Sequence, residues 1–228
     1  MDLEKHNGST TAFITLDACN GTRAENVVLA LESASNGDES AWSQLINDDE
    51  ELRERLVEQG MGTPEFRSSI QWDDSTLLFI SSVELSKDGK PIPIGDGQLR
   101  EKIGRFPWGD GSPLNYMHEF IRPNNRRGTS DSESYETIVS LLEILTQRCG
   151  PSNMEHTRYH NGQGGLNIRG FLSNSEVRQL RLALSGRSLS VTADEAIDGG
   201  MRDVSRNLIA VLRAAERRDV GILLRLHA

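Results

Sequence analysis

The last stretch of the chain, Val220-Gly221-Ile222-Leu223-Leu224-Arg225-Leu226-His227, is apolar at consecutive positions. A strand with one face in water alternates apolar and polar side chains, whereas one buried on both faces does not. This run therefore reads as a strand inside a sheet, with cover on each side. It follows a helix stripe of Met201, Val204, Leu208, Val211, Leu212 and Ala215 that closes on Glu216-Arg217-Arg218. Arginines in a last turn suit the negative end of the helix dipole. Leu, Ile, Val and Phe together make up about a quarter of the 228 residues, enough for a sizeable core. The expectation is an α+β (or α/β) fold in a single compact domain over 1–228. Its sheet is expected to be mixed, with helices mainly on one face and the C-terminal strand near the sheet centre.

Helix starts are marked by cap spacing. Thr22-x-x-Glu25, Ser130-x-x-Glu133 and Ser173-x-x-Glu176 all have the capping-box spacing, in which the hydroxyl takes an amide and the glutamate reaches back. Leu172 and Val177 flank the third box as a hydrophobic staple. Shorter helices are expected over Glu39–Ile46, with Trp42, and over Asp48–Gln59, stopped by Gly60. Phe13–Leu16 and Thr76–Ile80 read as strands, the latter running on toward Val83, with a weaker strand around Ile70–Trp72. Asp88-Gly89 reads as a hairpin turn whose second arm, Pro91–Ile94, belongs at an edge because proline lacks a ladder donor. Gln98–Gly104 reads as one or two helical turns, 106–129 as irregular, and Leu166–Ile168 as a short extended piece. Residues 1–12 and 123–132 read as flexible, and Arg122–Thr129 as a basic loop.

The formal net charge is −9, unevenly spread. Residues 1–114 carry 21 acidic and 10 basic side chains, while 115–228 carry 13 and 15. An acidic chain is poorly suited to nucleic acid, whose phosphates require Lys and Arg. No apolar run approaches the ~18 residues of a membrane span. Met1–Asn7 is polar with no apolar run after it, so no signal peptide is expected. Two cysteines exclude a disulfide scaffold and read as reduced thiols, which places the protein in the cytoplasm. The densest acidic run is Asp48-Asp49-Glu50-Glu51. It reads either as a dipole-favoured helix start or as a docking surface for a basic partner. Trp108, in a Gly/Pro-rich loop, reads either as packed on the core or as a recognition anchor.

Reactive constellations are incomplete. His156 and His160 are four apart beside Glu155 and could share a metal on a helix, with Cys149 or Glu155 as further ligands. Gly150-Pro151 and Asn161–Gly165 break the helix that this needs. His118-Glu119 starts a zincin motif, but Arg122 stands where its second histidine belongs. Gly162-x-Gly164-Gly165 lies too far ahead of the helix at Ser173 for a phosphate cradle and reads as turn glycines. Cys19, between a strand and a helix, is a weak candidate nucleophile. Asp73, Asp74 and Asp110 have no spacing that selects a catalytic pair.

The order of the last third carries a resemblance. Gly164–Leu172 leads into the Ser173–Leu184 helix, a second helix ends in Ala214-Ala215-Glu216-Arg217-Arg218, and an apolar strand closes the chain. Residues 130–228 thereby resemble the YfbM-like proteins, a bacterial family some of whose members are linked to toxin immunity. The resemblance brings no catalytic residues and implies a protein that binds.

The functional expectation is a non-enzymatic cytoplasmic binding protein of immunity or regulatory type. It would take a basic protein partner through Asp48, Asp49, Glu50, Glu51 and Trp108, with no cofactor, nucleic acid or membrane. The alternative is a small metal-dependent or cysteine hydrolase using His118, Cys149, His156 and His160.

Overall fold

A strand apolar on both faces needs cover on both sides, and the chain folds to supply it. The computed structural model describes residues 13–95, 102–104, 106–124, 129–150, 158–160, 162–186 and 189–227. In chain order the first elements are β1 (Phe13–Cys19), α1 (Gly21–Ser35), α2 (Ser40–Asp48) and α3 (Glu50–Glu58). Then come α4 (Asp74–Ser82), β2 (Lys102–Gly104), α5 (Pro113–Phe120), β3 (Ile121–Pro123) and α6 (Thr129–Gln147). The remainder is β4 (Asn167–Leu172), α7 (Asn174–Ser185), β5 (Leu189–Val191), α8 (Gly200–Arg218) and β6 (Gly221–His227). The class is the expected α+β.

The four-stranded sheet has the order β2-β1-β6-β4, so the C-terminal strand is interior, as expected. Its pairings are antiparallel throughout, where a mixed sheet is expected. β3 and β5 form a separate two-stranded ribbon. β1 and β6 pair over their whole lengths, from Phe13 opposite His227 to Cys19 opposite Gly221.

The helices cover both faces rather than mainly one. Ile14, Leu16, Ala18, Leu172, Ile222 and Leu224 pack with α5 to α8. Cys19, Ile168, Phe171 and Leu223 pack with α1 to α4. The alternation of β1 and β6 side chains divides the core in this way. With a fully buried aliphatic side chain worth roughly 1.5–3 kcal/mol, neither face of β6 could be left in water.

Gly170 sits at the irregularity of the β4–β6 ladder. A Cβ there would lie 2.5 Å from the carbonyl oxygens of Ile144 and Leu145, so glycine lets the end of α6 rest on the strand. Cys149 N–H donates to Arg169 O at 2.9 Å across the same contact.

Several local expectations change. Residues 76–80 lie in helix α4, not a strand. The Asp73 side chain caps it by accepting Thr76 N–H, and Leu77, Leu78 and Ile80 are buried. A short apolar run does not distinguish helix from strand by periodicity, and the cap decides it here. Ile70–Trp72 is likewise not a strand; a 3-10 turn, Arg67–Ser69, precedes it. Residues 102–104 are strand rather than helix. The region expected to be irregular holds α5, with Pro113 in its first turn and the Ser112 side chain accepting Asn115 N–H. Asn20, not Thr22, caps α1 by accepting Arg23 N–H. The α6 helix already includes Ser130, so that residue is not its cap. The Ser173/Glu176 box is present in full. The Asp88-Gly89 turn is formed, with a bridge between Leu85 and Pro91, outside the four-stranded sheet. Residues 1–12 lie outside the described residues, and of 123–132, read as flexible, Pro123 ends β3 and 129–132 open α6 while 125–128 lie outside the described residues.

Candidate functional site

The acidic run divides into two carboxylates paired with Arg23 and two that are not. Arg23, on the first turn of α1, is only 9% exposed and needs partners. Its Nε donates to Asp49 Oδ2 at 2.8 Å and its Nη2 to Glu51 Oε2 at 3.0 Å. Asp49 also caps α3 by accepting Leu52 N–H at 2.9 Å. These two carboxylates therefore join α1 to α3. Burial lowers the basicity of Arg23, but its bonds to Glu51 and Asp49 outweigh that, and the guanidinium is held above its ordinary value. Glu51 is held below the usual carboxylate range by its bond to Arg23 and the nearby charge.

Asp48 and Glu50 face outward. They stand at one edge of a groove of about 560 Å3 between α1 and α2. Leu29, Ala30, Ala41 and Leu45 give the groove its apolar surface. Leu29 is 58% exposed, so it forgoes most of the burial that Val27, Val28 and Leu31 obtain on the same helix. Glu25 is exposed one helical turn before Leu29. Over residues 21–60 there are ten acidic side chains against three arginines. One of these, Arg23, is turned inward.

Trp108 does not join this surface. It is half-buried against the cluster on the other sheet face. Its ring meets Phe120 edge-on at 5.4 Å, and its indole N–H donates to Glu119 Oε2 at 2.9 Å. The α3 residues Leu52 and Leu56 belong to the opposite cluster. The fold thus unites Asp48, Asp49, Glu50 and Glu51 and separates them from Trp108.

The candidate reactive residues occupy different settings. His118 is 45% exposed on α5, with Nε2 3.5 Å from Glu143 Oε1. His160 lies 3.5 Å from Arg169 Nη1, and burial together with that cation pushes its imidazole below the ordinary value. His156 and Glu155 lie outside the described residues. Among the described residues no three His, Cys, Asp or Glu side chains are placed to hold a metal ion. Cys19 and Cys149 are both buried and unbridged. Burial is the main cause raising both thiols, Cys149 to about 12 and Cys19 further still. A nucleophilic thiolate needs the reverse.

Asp73 serves structure. It accepts Thr76 N–H at 2.8 Å, the Thr76 hydroxyl at 2.8 Å and Gln163 N–H at 3.0 Å, and bonds the Ser75 hydroxyl. This ties the Gly162–Gly165 turn to α4. A Cβ at Gly162 would fall 1.9 Å from Ser75 Oγ, which explains the glycine by close approach rather than by anion binding. Asp110 similarly accepts Ser112 N–H ahead of α5, and Asp74 pairs with Arg67 at 2.7 Å.

Comparison with family models, curated proteins and solved structures returned no match to this chain. Among the described residues no helix is long and apolar enough to cross a membrane. The sequence signal for the groove was the acidic run. Leu29 carried no sequence signal, because its exposure is set by how α1 packs rather than by any local pattern.

Proposed function

We infer that this protein is a non-catalytic binding protein and that the α1–α2 groove receives a basic, amphipathic segment of a protein partner. The observation that carries the reading is the combination in one groove of an exposed apolar surface, centred on Leu29, with the outward carboxylates of Asp48 and Glu50. An apolar strip alone would accept any hydrophobic segment. The acidic edge selects one whose flank is lysine or arginine, and like charges are repelled. The role is of immunity or regulatory type: the partner is held by occupying its basic surface. The likeness of residues 130–228 to YfbM-like proteins belongs to this reading, as does a cytoplasmic location, which the two unbridged thiols support.

A titration tests it. Two synthetic amphipathic helices carry leucine on one face and either lysine or glutamate on the other. The lysine peptide is expected to bind saturably and to weaken as salt rises, since exposed charges are screened. Leu29→Asp combined with Asp48→Lys should weaken it on the order of tenfold or more, about 1.4 kcal/mol per factor of ten. Both positions are exposed, so the fold should survive the change. Equal binding of the two peptides, or an unaffected variant, would overturn the reading.

A further inference from the structure

A second concavity lies where the sheet face around β6 meets α4, with a volume of about 330 Å3. Phe79, Ile80, Leu85 and Leu166 wall it with apolar surface, and the side chains of Arg225 and His227 reach it from β6. Gln163 stands on its border. No acidic residue is among the described residues that line it, although the chain carries a formal charge of −9.

The arrangement of Arg225 gives this meaning. Nε and Nη2 both donate to the Asp17 carboxylate, the latter at 2.9 Å. Asp17 is 7% exposed and does not line the cavity, while Arg225 does. The ion pair thus meets the cavity through Arg225 and not through Asp17. The fork occupies one edge and leaves Nη1 outside it. The Phe79 ring lies 4.8 Å from the guanidinium carbon and fixes the plane from its face. His227 is held as well, by Thr15 Oγ1 at 2.9 Å and by stacking on Phe13 at 4.1 Å. A planar donor pre-set by a buried acid, at the base of an apolar pocket, recognises a carboxylate on an otherwise apolar molecule.

We propose that this cavity is a binding site for a small aromatic or alicyclic monocarboxylate, anchored on the Arg225 guanidinium. The site is distinct from the α1–α2 groove and independent of whether that groove binds a partner. Its volume is at the lower end of the roughly 300–1,000 Å3 range of small-molecule pockets, which favours a single ring.

The test is a calorimetric or NMR titration of the full chain with benzoate, benzyl alcohol and benzylammonium. Benzoate should bind saturably and on the order of tenfold tighter than the other two, since only it offers an anion to the guanidinium. Gln163→Trp, which changes an exposed side chain at the border, should lower benzoate affinity by a similar factor by filling the opening. Removing Arg225 alone strands Asp17, so the anchor is tested with Asp17→Asn and Arg225→Gln together. That pair should abolish the preference for benzoate over benzyl alcohol. If it does not fold, Gln163→Trp decides. The proposal fails if none of the three ligands saturates, if the alcohol or the ammonium binds as well as benzoate, or if Gln163→Trp leaves benzoate affinity unchanged.

Discussion

Arg23 shows how a single side chain determines the use of its neighbours. Its guanidinium is almost fully enclosed and held by Asp49 and Glu51. Replacing it with Met would leave Asp49 without its cation while sparing the stem's packing. Breaking a buried pair typically costs ~3–5 kcal/mol, but Glu51 is 78% exposed and water will recover much of its share. The expected loss is about 2 kcal/mol in urea unfolding, with an unchanged m-value. The pH dependence has a definite sign. Glu51 is held below its ordinary value in the folded state, so its contribution is fully present above the unfolded pKa of ~4.3. It is lost as pH falls through the folded value. In Arg23→Met this part of the acid sensitivity should be absent. None of the pairing is legible in sequence, because Arg23 and Asp49 are 26 residues apart. The carboxylates are visible as a run, but which of them meet Arg23 depends on how α1 and α3 pack.

Among the elements, α4 departs furthest from its sequence reading. Thr76–Ile80 is short, and its two helix-favouring leucines stand among Thr, Phe and Ile, which favour strand. What decides is Asp73, which takes three hydrogen bonds from the first turn and a fourth from Gln163 N–H. Asp73→Ala should therefore cost about 1–2 kcal/mol, the scale of a lost N-cap. It should also speed amide hydrogen exchange at Gln163, which a defect confined to the helix end would leave unchanged. A second element-scale test concerns the seating of α6 on β4. Gly170→Ala would press a methyl group against two backbone carbonyls. Overpacking of this kind costs roughly 1–3 kcal/mol. Gly62→Ala, with nothing within 4 Å of the added carbon, should stay within about 0.5 kcal/mol. Equal effects at the two positions would remove the account of how the helix is placed. The α7 cap and the α8 stripe were readable because each is local: one box, one face. α5 was not, because its cap and proline sit in a segment dense with glycine and proline.

For the whole molecule, the interior place of β6 followed from its unbroken apolar run, and the two-sided cover follows from the same fact. The sheet order could not be read, since β1 reaches β6 across nearly the full chain. The charge asymmetry was legible as a count, yet the groove that concentrates it depends on α1 and α2 lying side by side. The residues at the second concavity were hidden for the same reason. Phe79, Asp17 and Arg225 meet only once the sheet closes.

The account turns on where a basic partner lands. Amide chemical shifts of the full chain, followed as the lysine-faced peptide is added, address that directly. The expected result is saturable movement confined to residues 25–30 of α1 and 41–50 of α2 and the start of α3, with the amides around Trp108 unmoved. Shifts scattered over the surface, or concentrated outside α1 and α2, would contradict it.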